Sequence, residues 1–194
     1  MKELSELDLR PIVVAIAGPN GAGKTSFYHA HIKYAGLRYI EADALAHELD
    51  MDAYAAAKMA DALRRVLVKQ LESFVFETVF SDPAGGKLEF LKEAARSGYT
   101  VLLCFIGLAG PGLSEDRVAM RVSQGGHDVP TEKLRSRYPR TMANLKAAIL
   151  RLPFVYVFDN SDLGRPFCRV AVYRQGRSVY KAEPVPAWFQ APSG

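Results

Sequence analysis

The sequence predicts an α/β sandwich, with a mainly parallel five-stranded sheet between helical layers and a β-hairpin near the C-terminal end. Three observations lead there. An apolar run at residues 12–17 passes straight into a glycine-rich loop and then into a stretch able to continue as a helix. Four more short apolar runs follow, separated by segments whose apolar positions recur at helical spacing. Several of these runs end in polar residues, which a parallel sheet would gather on one rim, beyond the carboxyl ends of its strands, where ligands sit.

Each element has its own justification. The first strand, 12–17, is apolar throughout, as a strand buried on both faces should be. A first helix runs to about Tyr34, and Gly36 breaks it before a short second strand at 37–40. Residues 44–71 are Ala-rich and read as two helices parted near Asp50 to Asp52. A third strand covers 73–76 and leads into Glu77 and Thr78, and a helix at 84–97 is closed by Gly98. The longest apolar run, 99–106, reads as a central strand. Ser114 is expected to cap a basic helix to Ser123, and Thr131 a second helix to Leu150, which Pro153 stops. A fifth strand spans 154–158 and ends at Asp159-Asn160-Ser161, the hairpin uses 170–173 and 178–180, and the proline-bearing stretch around Trp188 reads as irregular. The 194 residues suit one domain, 1–194.

Composition narrows the function classes. With 49% apolar and 24% charged residues, the chain has enough apolar side chains for a core of its own. A formal charge of +4 suits a phosphate-bearing ligand, but the basic residues form no long run, which speaks against nucleic acid. Cys104 and Cys168 both stand in apolar surroundings and are expected as buried free thiols. Residues 1–8 are too charged for a signal peptide, and no stretch approaches ~18 uninterrupted apolar residues, so no membrane span and a cytoplasmic location are expected.

The glycine loop carries the chemistry. Gly18-Pro19-Asn20-Gly21-Ala22-Gly23-Lys24-Thr25-Ser26 matches G-x-x-x-x-G-K-[ST] at every fixed position, between strand and helix, which is the context a P-loop requires. Glycines there let backbone N–H groups approach a phosphate, and the helix that follows points its positive end at the same anion. Lys24 can reach the β- and γ-phosphates of a nucleoside triphosphate, and the Thr25 hydroxyl can ligate Mg²⁺. The chain lacks the Leu-Ser-Gly-Gly-Gln signature of transporter ATPases and the Asn-Lys-x-Asp element of guanine-specific switches. Its longest apolar strand ends without an acid, and the acids follow the second and third strands instead, an arrangement that serves a small kinase holding an acceptor hydroxyl in line with the γ-phosphate.

The other candidates each have two readings. Asp43 can act as a general base or simply cap the helix after it. Glu77 needs a partner at the end of an apolar strand, either a magnesium-bound water, a substrate hydroxyl or a neighbouring arginine. Arg117 and Arg121, four apart, share a helix face and can clamp phosphates or form a solvated basic surface. Arg135, Arg137 and Arg140 form a second basic group, Gly125-Gly126 a flexible loop, and His127 a substrate contact or a structural residue.

The ordered set of Gly18 to Ser26, Glu41-Ala42-Asp43, Phe76-Glu77-Thr78, Arg117 with Arg121, Gly125-Gly126-His127 and Asp159-Asn160-Ser161 resembles the short, stand-alone members of the zeta-toxin family of P-loop kinases. The resemblance implies a three-layer, adenylate-kinase-like core and a lid at about 112–140. It implies ATP- and Mg²⁺-dependent phosphorylation of a nucleotide sugar such as UDP-N-acetylglucosamine, and a possible protein antitoxin. By the same resemblance Asp43 is the catalytic acid after strand two, and Glu77, Thr78, Gly126 and His127 contact substrate. Arg117 and Arg121 are the lid arginines. Gly18, Asn20, Gly21, Ala22, Gly23, Lys24, Thr25 and Ser26 hold ATP. Ala46 stands where the toxins usually carry an arginine. A partner-regulated toxin or nucleotide-dependent regulator, and a housekeeping sugar or nucleoside kinase, are the alternative functions.

Overall fold

A computed structural model describes residues 4–125 and 128–191, with the backbone alone for Asp43 and Ala53. Among the described residues seven strands form one sheet in the order β2-β3-β1-β4-β5-β6-β7. The strands are β1 (Ile12–Ala17), β2 (Arg38–Ile40), β3 (Phe74–Thr78), β4 (Thr100–Gly107), β5 (Phe154–Asp159), β6 (Cys168–Arg174) and β7 (Arg177–Lys181). The first five run parallel, β6 adds antiparallel to β5, and β7 adds antiparallel to β6. The predicted hairpin therefore extends the sheet from five strands to seven: β6 carries Val170, Ala171, Val172 and Tyr173, all buried, so its pairing with β5 removes apolar surface from water.

Period-two alternation sorts the strand residues into two cores. Val13, Ala15, Phe74, Phe76, Leu103, Phe105 and Val157 face one side, beneath helices α3 (Ala53–Lys69), α4 (Gly86–Arg96) and α6 (Thr131–Arg151). Val14, Ile16, Val75, Leu102, Cys104, Ile106 and Phe158 face the other, beneath α1 (Lys24–His31) and a 3₁₀ turn at Ser5–Asp8 that brings Leu4 and Leu7. The buried Glu6 of that turn accepts from the Tyr156 hydroxyl at 2.8 Å and from Arg174 at 2.8 Å, so its charge is paired and hydrogen-bonded. The central strands are apolar on both faces because both faces are covered.

Helix boundaries follow local chemistry. Asp52 caps α3, its carboxylate accepting from Tyr54 and Ala55 N–H, which is why the Ala-rich stretch splits there into α2 (Ala42–Glu48) and α3. Gly98 takes φ +89° after α4, and Tyr99 N–H reaches back to the Ala94 carbonyl. Two expected caps are not caps. Helix α5 (Pro111–Ser123) begins at Pro111, where a missing N–H costs no bond, so Ser114 lies inside it. Helix α6 has Pro130 at its cap position, with no side-chain cap bond, and Thr131 is its first helical residue. Cys104 is buried as expected, but Cys168 is exposed, because it falls at the first, outer position of β6.

Replacing Phe74, fully buried at the start of β3, by Ala should cost about 3–5 kcal/mol, read as a lower urea midpoint at an unchanged m-value.

Candidate active site

The order of strands reverses around β1, whose neighbours are β3 and β4, and the glycine loop leaves the sheet at that point. Gly18 has φ +150°, and a Cβ there would stand 2.1 Å from the Ile106 carbonyl oxygen of β4, so only glycine fits. Gly23, at φ +83°, occupies the cap position of α1, and its missing Cβ leaves room for the Asn160 amide. The loop is braced from outside. Ser114 donates to the Asn20 carbonyl at 2.6 Å, and Asn160 Nδ2 to the Ala22 carbonyl at 2.9 Å. Lys24 curls back over the loop, its Nζ donating to the Gly18 and Pro19 carbonyls at 3.2 and 3.1 Å.

The acids of the rim meet the loop. Thr25 Oγ1 lies 3.3 Å from Glu77 Oε2, so the hydroxyl at the start of α1 and the carboxylate at the end of β3 are neighbours. The other Glu77 oxygen accepts from the Tyr39 hydroxyl, whose ring stacks on Tyr28 at 3.9 Å. Burial first, then the Glu77 charge, push the Tyr39 phenol far above its ordinary range, so it stays a proton donor. Glu77 is thus tied to two hydroxyls in this structure. Thr78 accepts from the Phe80 N–H at its hydroxyl oxygen and from the Gly18 N–H at its carbonyl, so both groups shape the loop; Phe80 itself sits at φ +60°.

A cavity of about 1140 Å³ opens over the loop and is lined by Lys24, Thr25, Glu41, Glu77, Arg117 and Arg121 among others. Arg117 is half-buried; its Nη2 donates to the Ser161 carbonyl at 3.1 Å, and burial draws its guanidinium below the ordinary arginine range while nearby Asp159 pulls the other way. The second basic group divides. Arg137 lines the cavity, Arg135 pairs with Glu115 of α5 at 2.7 Å, and Arg140 is exposed. Glu41, not Asp43, holds the cap position of α2, so Asp43 is a first-turn residue directly after two residues that line the cavity, Glu41 and Ala42. Its side chain, and Gly126 and His127 altogether, lie outside the described residues.

The structure adds two residues that the motifs do not reveal. Arg64 of α3, 5% exposed, and Lys87 of α4 line the same cavity on the side facing α2 and α3, and both pair with Asp61. Arg64 also lies over the Phe76 ring, 4.6 Å from its centroid. Burial lowers both groups, Arg64 to about 10 and Lys87 to about 8, the latter helped by the Arg64 charge beside it. One signal was available: Arg64 stands at helical spacing with buried Ala56, Ala60 and Leu67, a charge on an apolar stripe.

With this geometry in view, residues 30–165 match the family model described as Zeta toxin. The chain belongs to the zeta-toxin family. It is a P-loop kinase by motif, fold and family. No curated protein matches. Among solved structures, a chain of the PezAT toxin–antitoxin system of Streptococcus pneumoniae shares 16% identity at a TM-score of 0.58, over 92% of this chain and 75% of that one. A protein of Chloroflexus aurantiacus assigned as a kinase shares 17% at 0.58, over 81% of this chain and 90% of its own. The AvrRxo1-ORF1:AvrRxo1-ORF2 structure with ATP shares 17% at 0.59, over 91% of this chain but only 62% of that one. At these identities the likeness is one of fold. The family match and these neighbours agree with the mostly parallel sheet and its antiparallel edge.

In this zeta-toxin family member, Gly23→Ala places a Cβ 2.8 Å from Asn160 Nδ2 at a left-handed φ. It should lower stability by about 1–3 kcal/mol in thermal melts and weaken ATP binding by calorimetry.

Proposed function

We propose that the protein transfers the γ-phosphate of ATP, with Mg²⁺, to a hydroxyl of a small acceptor, best matched by a nucleotide sugar of the UDP-N-acetylglucosamine type. The observation that carries this reading is the meeting of the P-loop with the rim acids in one cavity, with Thr25 and Glu77 3.3 Å apart. A site for hydrolysis alone needs no room beyond the phosphates, whereas this cavity continues away from the loop to Arg64 and Lys87.

Backbone N–H groups of 20–25 and the start of α1 would hold the phosphates, and Lys24 would leave the Gly18 and Pro19 carbonyls to reach them. Thr25 and Glu77 are oxygen donors of the kind that suits Mg²⁺, and the ion, when bound, supplies charge neutralisation at the phosphates. The acceptor hydroxyl attacks the γ-phosphorus, its bond to the β-phosphate oxygen breaks, and ADP leaves. Asp43 takes the hydroxyl proton. Arg117 and Arg121 balance charge on the transferring phosphoryl group. Gly126, His127 and Thr78 complete the acceptor contacts in this reading. Residues 1–194 form one domain in which 112–140 act as a lid closing over the phosphates. Arg64 and Lys87, with Asp61 and Asp82 beside them, are the groups that would meet a negatively charged acceptor at that end of the cavity.

A second reading is supported by the likeness to a toxin–antitoxin system, namely that the kinase is a toxin held in check by a protein antitoxin. The two readings share the chemistry and differ in the acceptor's importance to the cell.

Transfer of labelled γ-phosphate to UDP-N-acetylglucosamine should be lost, by at least about 10²-fold, in Lys24→Ala and Asp43→Asn, with ATP still bound by Asp43→Asn. Full activity of Asp43→Asn would overturn its role as base. Lys87 is a cation below about 8 and neutral above it. The acceptor KM should therefore rise as pH passes upward through that value, and Lys87→Arg should remove the rise.

A further inference from the structure

The stretch 182–191 carries no helix or strand, yet it is tied to the ends of β4 and β5, on the rim that carries the phosphate loop. Phe189 is 5% exposed and packs edge-on against Trp188 at 5.7 Å. The Trp188 ring fills the place of a missing side chain: a Cβ on Gly107, the last residue of β4, would fall 2.0 Å from it. Gly107 is the register partner of Asp159, and the indole Nε1 donates to Asp159 Oδ1 at 3.0 Å. The same oxygen accepts from the Ser161 N–H at 3.1 Å and from the Ser161 hydroxyl. The turn that follows reaches the site at two points, the Ser161 carbonyl receiving Arg117 at 3.1 Å and the Asn160 amide holding the Ala22 carbonyl of the P-loop at 2.9 Å.

We propose that Trp188 is a positioning residue for the nucleotide site, acting through Asp159 and the 159–161 turn to hold Arg117 in place. The inference rests on the reading that Arg117 contacts the phosphates. The physical argument is one of restricted choice. Arg117 makes its Nη2 bond to a backbone carbonyl, and that carbonyl's direction depends on how the turn is pinned. Three donors on one carboxylate oxygen pin it, and the indole is the one that comes from a separate element of the chain. Its ring is seated by the glycine at Gly107, so the N–H reaches Asp159 without a rotamer search.

The chain has a single tryptophan, which makes the coupling directly visible. Adding ATP to the intact protein should change Trp188 emission, and Arg117→Ala should suppress most of that change, because coupling between two sites is reciprocal. Trp188→Phe keeps a ring and removes the donor; it should raise the ATP dissociation constant by calorimetry about five- to tenfold with little change in Tm. Arg117→Ala should add much less in the Trp188→Phe background than in wild type. Additive effects of the two substitutions, or Trp188 emission that ignores ATP while calorimetry records binding, would overturn the inference. If Trp188→Phe does not fold, Asp159→Asn, which keeps shape and weakens the same bonds, reads the same cycle with Arg117→Ala. Calorimetry and emission need no phosphotransfer, so a protein that binds ATP but labels no acceptor would sink the proposed activity and leave this inference standing on its own test.

Discussion

The close approach of Gly18 to the Ile106 carbonyl is the contact on which the site depends. Strand β1 has a hydrogen-bonded neighbour on each side, with Ala17 opposite Thr78 of β3 and Phe105 of β4. The chain cannot continue in the sheet plane past Ala17 without a turn, and it turns against the β4 backbone at a distance that excludes any side chain. From there the loop has one route, over the end of the sheet and into α1. Its neighbours follow from parallel pairing. Strands that run together end together, so Glu77, Thr78 and Asp159 arrive at the height of the loop because their registers with β1 and β4 place them there.

Charge is arranged around that constraint. The loop is braced from outside by neutral hydrogen bonds from Ser114 and Asn160, and from within by Lys24 on the Gly18 and Pro19 carbonyls. Lys24, Arg117 and Arg121 line it on the loop and α5 side, Arg64 and Lys87 on the side of α3 and α4, with Glu77 and Glu41 on the strand ends between. On the far face, the buried Glu6 fastens the leading turn to β5 and β6, so the hairpin is joined to the fold by an ionic contact as well as by its strand pairing.

Much of the fold was legible along the chain. Strands β1, β3, β4 and β5 are buried on both faces, and their apolar runs announce them; α2 and α3 part where Asp52 can cap. The P-loop was legible because its glycines answer local backbone demands. The hairpin's membership of the sheet was not, since edge pairing is decided by which surface remains uncovered once five strands have assembled. Ser114 and Thr131 have the right chemistry for caps, and Pro111 and Pro130 displaced them by setting the helix starts earlier. Cys168 looked internal from its apolar neighbours, but its outer position in β6 turns it to water.

By itself, then, the sequence determined the phosphate loop, the parallel α/β order and the acids that follow the second and third strands, because each of these is written in neighbouring residues and local periodicity. The tertiary structure decided which distant groups share the cavity. Glu77 joined to Thr25 and Tyr39, Arg64 beside Lys87, and Trp188 seated on Gly107 against Asp159 are contacts between residues far apart in the chain. No local pattern encodes them; they exist because strand order and register bring separate elements to the same rim.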